Sequence, residues 1–310
     1  MTRLRDLKIA VLAGGTSSER EVSLRSGAAV HQALVGKGFD AVLLDVDGRA
    51  AAQARAAGAD LAFIALHGVF GEDGGVQSAL EEAGIPYTGS GPEACRRAMD
   101  KEASRKVLNQ SGFAEPRWRV IRGGTAPPGA PSDLEYPFFV KPCRGGSSIG
   151  VSQVKSEAEW PAAWAAARAE DDKVIVESKV TGREMAVGIL GDHALPVIEI
   201  CPARDFYDYT AKYSDSGTRY VFPDDLTPAV LKRIQENALR AHRALGCGGF
   251  SRVDLILTAA ADYVLEVNAI PGLTAASLLP KQALKEGIQF ADLCVMMIRE
   301  SIKTRGQFYE

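Results

Sequence analysis

The residues best suited to chemistry sit in two short apolar stretches late in the chain, Arg252-Val253-Asp254 and Glu266-Val267-Asn268. Residues two apart on a strand point to the same face. Arg252 therefore shares a face with Asp254, and Glu266 with Asn268. If the stretches pair across the short turn between them, Asp254, Glu266 and Asn268 converge. Two carboxylates and an amide oxygen form a hard-oxygen set suited to Mg²⁺, which takes one or two carboxylates and fills its shell with water and phosphate oxygens. The plainer alternative is a solvated strand face with alternating charge. Leu255 to Leu257 and Val264 to Val267 are strongly apolar, however, so the polar residues interrupt what otherwise reads as core.

A second candidate is Lys141-Pro142-Cys143-Arg144-Gly145-Gly146-Ser147-Ser148-Ile149-Gly150. A lysine ending a strand, followed by small residues, can close over phosphate with backbone N–H groups and hydroxyls. The pattern is not a Walker A loop, and a glycine-rich hairpin turn would look the same. Gly14-Gly15-Thr16-Ser17-Ser18-Glu19-Arg20-Glu21 follows a strand and opens a helix. It lacks the third glycine of a dinucleotide fingerprint. Ser17 or Ser18 could be an N-cap with Glu21 completing a capping box, whereas a carboxylate at Glu19 could hold a substrate ammonium. His67 follows a strand at the position where open α/β sheets bind ligands, although a lone histidine is often structural. Glu177 and Glu184 flank Thr181-Gly182, where an exposed turn is the simpler reading. Lys212 and Tyr213 fall in the polar, aromatic-rich stretch Pro202–Pro223, a long segment without periodicity of the kind that is often functional.

These residues need a scaffold that brings distant segments together. Strands at Lys8–Ala13, Ala41–Asp45 and Leu61–Leu66 alternate with helices at Glu19–Val35, Arg49–Ala57 and Val76–Ala83. That rhythm predicts a mostly parallel sheet covered by helices. A polar helix at Lys101–Gln110 then leads to strands at Trp118–Ile121, Phe138–Lys141, Ile149–Val154 and Val174–Glu177, with a helix around Glu157–Ala169, a smaller α+β unit of antiparallel character. The last third reads as a hairpin (Glu184–Leu190 and Leu195–Ile200), a helix at Thr227–Leu245 with Thr227 as N-cap and Pro228 in first position, paired strands Ser251–Leu257 and Tyr263–Val267, and helices at Ala275–Lys285 and Phe290–Lys303.

At 310 residues the chain predicts two or three domains. Apolar residues make up 46% and charged residues 24%, which excludes a disordered or collagen-like chain. The net charge of −3 gives no overall attraction for nucleic acid or an anionic membrane. The five cysteines are dispersed, with no C-x-x-C pair, which argues against a disulfide framework or zinc site and suits a reducing compartment. No run approaches the length of a membrane span, and the apolar run Ile9–Ala13 is too short for a secretion signal. A cytoplasmic protein is expected.

Taken in order, the motifs resemble the D-alanine–D-alanine ligase family of the ATP-grasp superfamily. The segments that carry the resemblance are Gly14–Ser23, Leu66-His67-Gly68 with Gly71-Glu72-Asp73-Gly74, Tyr87-Thr88-Gly89-Ser90-Gly91 and Met99-Asp100-Lys101. They continue with Lys141–Gly150, Phe206–Tyr209 with Ala211–Tyr213, Arg252–Asp254, and Glu266–Asn268 with Pro271–Thr274. The resemblance implies an ATP-grasp fold of three domains. These are an N-terminal parallel α/β substrate-binding domain (1–99), a small central α+β lid domain (100–187) and a C-terminal α+β catalytic domain (188–310), with ATP between the last two. It implies ATP-dependent ligation of two D-alanines through an acyl phosphate and a tetrahedral intermediate, for peptidoglycan precursor synthesis. By the same resemblance Lys101 and Lys141 hold the α- and β-phosphates and Lys212 the γ-phosphate, Glu184 takes the ribose hydroxyls, and Glu177 lies beside the adenine. Asp254, Glu266 and Asn268 bind two Mg²⁺ (or Mn²⁺), with Glu266 bridging. Arg252 and the Gly272 N–H stabilise the oxyanion. Glu19 binds the first ammonium within a Glu19–Ser147–Tyr213 set, His67 contacts substrate, and Ser277 with the Leu278 backbone receives the second carboxylate. A monovalent cation is a further candidate, and a homodimer is the implied assembly, with no nucleic-acid or membrane partner.

The sequence departs from the family pattern at several positions. Gly145 stands where an acidic residue is common, which predicts a looser, less negative lid. Thr210 stands in place of a familiar Glu. Ala269, Ile270 and Ala276 flank the second substrate's pocket. The alternative they keep open is a same-fold ligase taking D-lactate or D-serine second. Lys212-Tyr213 favours the dipeptide, because lactate-forming relatives usually lack that tyrosine. A non-catalytic ATP-binding module would show a broken carboxylate set or lack the arginine, and a Rossmann dehydrogenase would need the full glycine fingerprint.

Overall fold

The computed structural model describes residues 4–124, 127–202 and 217–304. Lys212, Tyr213 and Thr210 lie outside the described residues. The chain opens with β1 (Lys8–Gly14), flanked by β2 (Asp40–Val46) and β3 (Leu61–Ile64), both parallel to it. Every residue of β1 after Lys8 is buried, as befits a central parallel strand covered on both faces. Helices α1 (Arg20–Gly36), α2 (Ala50–Ala56) and α3 (Gly75–Glu82) return the chain across this sheet. The carboxyl ends of β1 and β3 thereby present Gly14–Glu19 and His67 at one edge.

A short helix that the sequence reading does not anticipate, α4 (Pro92–Met99), follows Gly91 with its proline in the first turn. Asp100 alone joins it to α5 (Lys101–Gln110), where the Asp100 side chain accepts the Ala103 N–H as N-cap. This cap fixes Lys101 at the first position of the helix.

The second sheet has the order β4 (Trp118–Arg122), β7 (Lys173–Ser178), β5 (Phe138–Pro142), β6 (Ser152–Val154), all antiparallel. Helix α6 (Trp160–Glu170) covers it. Trp160 and Trp164, one turn apart, pack on Phe138, Val140 and Val176. The predicted strand from Ile149 begins only at Ser152. Ser147 and Ser148 have φ of 53° and 60°, a left-handed conformation from which the chain cannot run straight into a strand.

The third sheet runs β11 (Arg219–Val221), β10 (Ile198–Cys201), β8 (Arg183–Leu190), β12 (Phe250–Leu257), β13 (Asp262–Asn268), with β9 (His193–Ala194) on β8. The predicted strand Leu195–Ile200 begins only at Ile198, because Pro196 has no N–H to give the ladder. The passage from second to third sheet is the loop at 179–182, so an expected domain break after 187 falls within a strand. Helix α7 (Pro228–Ala244) packs Ile234, Ala238 and Ala241 under this sheet, with Thr227 as the expected N-cap. Helix α8 (Leu278–Lys285) starts later than Ala275, because Thr274–Ser277 forms a turn that makes Ser277 its N-cap. The last helix, α9 (Phe290–Thr304), packs Leu293, Met297 and Ile298 into one core with Val30, Leu34 and Phe63 of the first sheet's layer. The C-terminal segment thus ties the third unit to the first. No described helix is long and apolar enough to cross a membrane.

Candidate active site

The β12–β13 hairpin forms as its sequence predicts. Asp254 stands opposite Glu266 and Arg252 opposite Asn268. Arg252 donates Nε and Nη2 to the two Asp254 oxygens, each at 2.7 Å, the strong bidentate form of an ion pair. Asn268 Nδ2 donates to Asp254 Oδ2 at 3.1 Å, which leaves its Oδ1 as the acceptor end. A carboxylate has about four lone-pair sites, so Asp254 keeps capacity beyond these three contacts. Oxygen donors of this kind fit a hard divalent cation.

Beside the hairpin lies a cavity of about 480 Å³ between the second and third sheets. Lys101, Lys141, Glu177, Glu184, Asp254 and Glu266 all line it. Glu177 is not on the exposed turn that its spacing allowed; it is buried beneath the cavity. Its Oε1 accepts from Lys141 Nζ, and Oε2 from Arg105 Nη2 at 3.0 Å. Burial pushes the Glu177 carboxyl up, but the charges and hydrogen bonds of Lys141 and Arg105 outweigh it and hold it at about 2. Lys101 donates to the Gly145 carbonyl at 2.9 Å. Burial pushes its ammonium down, and the charge of Glu266 opposes that. Two half-buried lysines at a cavity rim supply positive charge where water only partly screens it, which suits phosphate.

A second cavity, about 490 Å³, lies between the first unit and the hairpin. Glu19, His67, Ser147, Arg252, Gly272 and Ser277 line it, with the Leu278 end of α8. Ser147 Oγ donates to Glu19 Oε1 across 128 positions of sequence. The capping box does not form: Glu19 is the N-cap and makes no side-chain cap bond, while Ser17 Oγ accepts the Glu19 N–H and donates to the His67 carbonyl. His67 is buried, with Nε2 on Ser26 Oγ at 3.2 Å and Nδ1 on Glu72 Oε1 at 3.1 Å. Burial pushes the Glu72 carboxyl up, against the His67 hydrogen bond. A Cβ on Gly272 would stand 2.8 Å from Ser277 Oγ, so the glycine lets that backbone lie against the serine without displacing its hydroxyl. A space of about 30 Å³, lined by Glu72, Lys101, Gly145, Glu266 and Asn268, separates the two cavities.

The chain matches the family descriptions "D-ala D-ala ligase N-terminus" over residues 46–90 and "D-ala D-ala ligase C-terminus" over residues 109–299. The D-alanine–D-alanine ligase of Geobacter sulfurreducens is 47% identical over 313 residues, covering 99% of this chain and 99% of that protein. The chain belongs to the D-alanine–D-alanine ligase family. The crystal structure of the Bacillus anthracis D-alanine–D-alanine ligase superposes with a TM-score of 0.86 at 35% identity, covering 97% of this chain and 99% of that one. Its complex with ATP superposes at 0.83 with 31% identity, covering the same shares. The fold is therefore the ATP-grasp arrangement of this ligase family.

The sequence singles out residues that line the two cavities, apart from Lys212 and Tyr213 outside the described residues, and carries no comparable mark for Arg105 and Glu72. Arg105, one helical turn beyond Lys101, is buried and also donates to the Val264 carbonyl at 2.6 Å. Its spacing of four from Lys101 was the available signal. Glu72, in the Gly71–Gly74 motif, carries no local signal for its contact with His67. Glu177 also makes a testable contribution to stability. Its lowered pKa means that the contribution is complete above the ordinary value of 4.5 and is lost as pH falls toward about 2. In acid unfolding titrations, Glu177→Gln should show a flatter loss of stability between those values than the parent; parallel curves would remove Glu177 from that role.

Proposed function

We propose that the chain ligates two D-alanines to D-alanyl-D-alanine with ATP, through an acyl phosphate, in peptidoglycan precursor synthesis. The observation that carries this reading is that Gly146 and Ser147 line both large cavities. A nucleotide in one presents its terminal phosphate to a carboxylate in the other, under a single loop. Phosphoryl transfer is mostly positioning and charge neutralisation. Lys101 and Lys141 would hold α- and β-phosphate oxygens, Lys212 the γ-phosphate, Glu184 the ribose hydroxyls, and Glu177 would border the adenine. Asp254, Glu266 and Asn268 would hold Mg²⁺ or Mn²⁺, whose charge would neutralise phosphate oxygens.

On the amino-acid side, Glu19 would take the first ammonium, oriented by Ser147 and completed by Tyr213. His67 would border the same substrate. The free amine of the second D-alanine attacks the acyl phosphate carbon, and the carbonyl oxygen becomes an oxyanion. Arg252 and the Gly272 N–H would stabilise it. Phosphate leaves and the amide remains. Ser277 and the Leu278 backbone N–H, at the start of α8, would receive the second carboxylate. Two metal ions and a homodimeric, cytoplasmic enzyme complete the reading.

The deciding experiment supplies ATP, Mg²⁺ and D-alanine, alone or with L-alanine, D-serine or D-lactate, and follows phosphate release with products identified by mass. Phosphate release with D-alanine alone, together with D-alanyl-D-alanine, is the expected result. Product only from a mixed pair would assign the second site to another substrate and trace the difference to Ala269, Ile270 and Ala276.

A further inference from the structure

Between Lys141 and the loop at 145–148, the chain is pinned at three successive residues. Cys143 N donates to the Lys173 carbonyl at 2.9 Å, and the Cys143 carbonyl accepts from Lys101 N at 2.9 Å. Arg144 then meets one carboxylate three times. Asp171 Oδ2 accepts the Arg144 backbone N–H at 2.7 Å and Nε at 3.2 Å, while Oδ1 accepts Nη2 at 2.6 Å. Gly145 is held in turn through its carbonyl by Lys101. Beyond it the backbone turns through the left-handed Ser147 and Ser148, and the tip is fastened by Ser147 to Glu19.

We propose that Asp171 is a positioning residue for the reaction: through Arg144 it anchors the root of the 145–148 loop, so that the loop seals the reacting groups from water. This rests on the ligase reading above.

The contact differs from an ordinary surface pair, in which solvent screens both partners. The Arg144 side chain is 55% exposed, but that of Asp171 is 2% exposed. The carboxylate is the fixed partner, and Arg144 reaches in to it. Asp171 also accepts the Lys173 N–H at 3.2 Å and sits where α6 ends and β7 begins, so it belongs to the rigid sheet rather than to the loop. Asp172, which also meets Arg144 Nη2 at 2.7 Å, is exposed and lacks that framework. Lys173, next in line, pairs with Asp100 at 2.7 Å and Glu102 at 2.9 Å. The loop root, the α5 cap and the Lys101 position are thus set by one continuous charged network.

Gly145 explains why such an anchor matters here. It has no side chain to hold the loop, and its φ of 144° disfavours one. The looseness expected at Gly145 is answered one residue earlier. An anchored loop excludes water that would otherwise hydrolyse the acyl phosphate. Loss of the anchor should therefore uncouple phosphate release from ligation.

The test uses Asp171→Asn and Arg144→Lys in the full chain. Asparagine keeps the size of the acceptor but loses the ionic fork. Lysine keeps the charge and the backbone N–H to Asp171. Phosphate released per dipeptide formed should rise from one to about two or more, with dipeptide formation falling roughly 10- to 100-fold, and amide exchange at residues 144–148 should quicken. A ratio of one with unchanged exchange in the folded variants, even at a lowered melting temperature, would leave Asp171 a purely structural residue and overturn the proposal. If Asp171→Asn does not fold, Arg144→Lys decides alone. Absence of dipeptide from the parent would count against the ligase reading instead, and the exchange measurement would still judge the anchor.

Discussion

Glu266→Gln is expected to abolish dipeptide formation while leaving the protein folded and as stable as the parent. Glu266 stands opposite Asp254 across the β12–β13 pair and lines both the cavity between the second and third sheets and the small space that separates it from the second cavity. Like charges directly opposite on neighbouring strands are destabilising. Replacing one by an amide of equal size relieves that repulsion but removes a charge that supports Lys101, so the two effects oppose and stability should stay near the parent's. Catalysis should fall instead. A metal held by this carboxylate pair would supply several kcal/mol of transition-state charge stabilisation, or about a thousandfold or more in rate. Glu266 also supports the charged form of Lys101 against burial, and the variant weakens that too. Near-normal turnover would sink the metal assignment. Lost turnover in a protein with a parent-like melting curve would uphold it.

What the sequence made legible follows from distance along the chain. Hydrophobic period and caps act within a turn or a strand. On that basis α5 was placed to the residue, Thr227 was recognised as a cap, and the β12–β13 hairpin brought its polar residues together. The cavity-lining polar residues are legible for another reason: phosphate, divalent metal and carboxylate would demand particular side chains, and such residues stand out at strand ends and glycine loops. The bracing residues carry no such mark. Arg105 meets Glu177 across 72 positions and Arg144 meets Asp171 across 27, separations at which local pattern is silent. The late start of β6 was hidden because serines at 147 and 148 adopt positive φ, which ordinary residues avoid at a cost of about 1–2 kcal/mol each. Strain of this kind collects at functional loops. The Glu19 latch and the Arg144 anchor on either side of it supply what over-determines the conformation.

Arg252→Lys should lower turnover roughly 10²- to 10³-fold, the usual cost of removing one oxyanion donor, with little change in substrate affinity. Arg252 lines the cavity shared with Glu19 and Ser277, while its guanidinium is held by both oxygens of Asp254, which lines the other large cavity. That fork fixes the plane of the guanidinium before substrate arrives, and a fixed dipole needs no reorganisation when the oxyanion forms. Lysine keeps the charge and a counter-ion for Asp254 but cannot make two parallel bonds, so its ammonium is not held in that plane. If orientation is what matters, kcat and kcat/KM fall together and the Mg²⁺ dependence stays where it was. A shifted Mg²⁺ requirement with kcat restored at high metal would mean instead that Arg252 serves the Asp254 carboxylate. Parent-like turnover at ordinary Mg²⁺ would take Arg252 out of the oxyanion role. The residue sits between the two halves of the site, and the metal titration tells which half it serves.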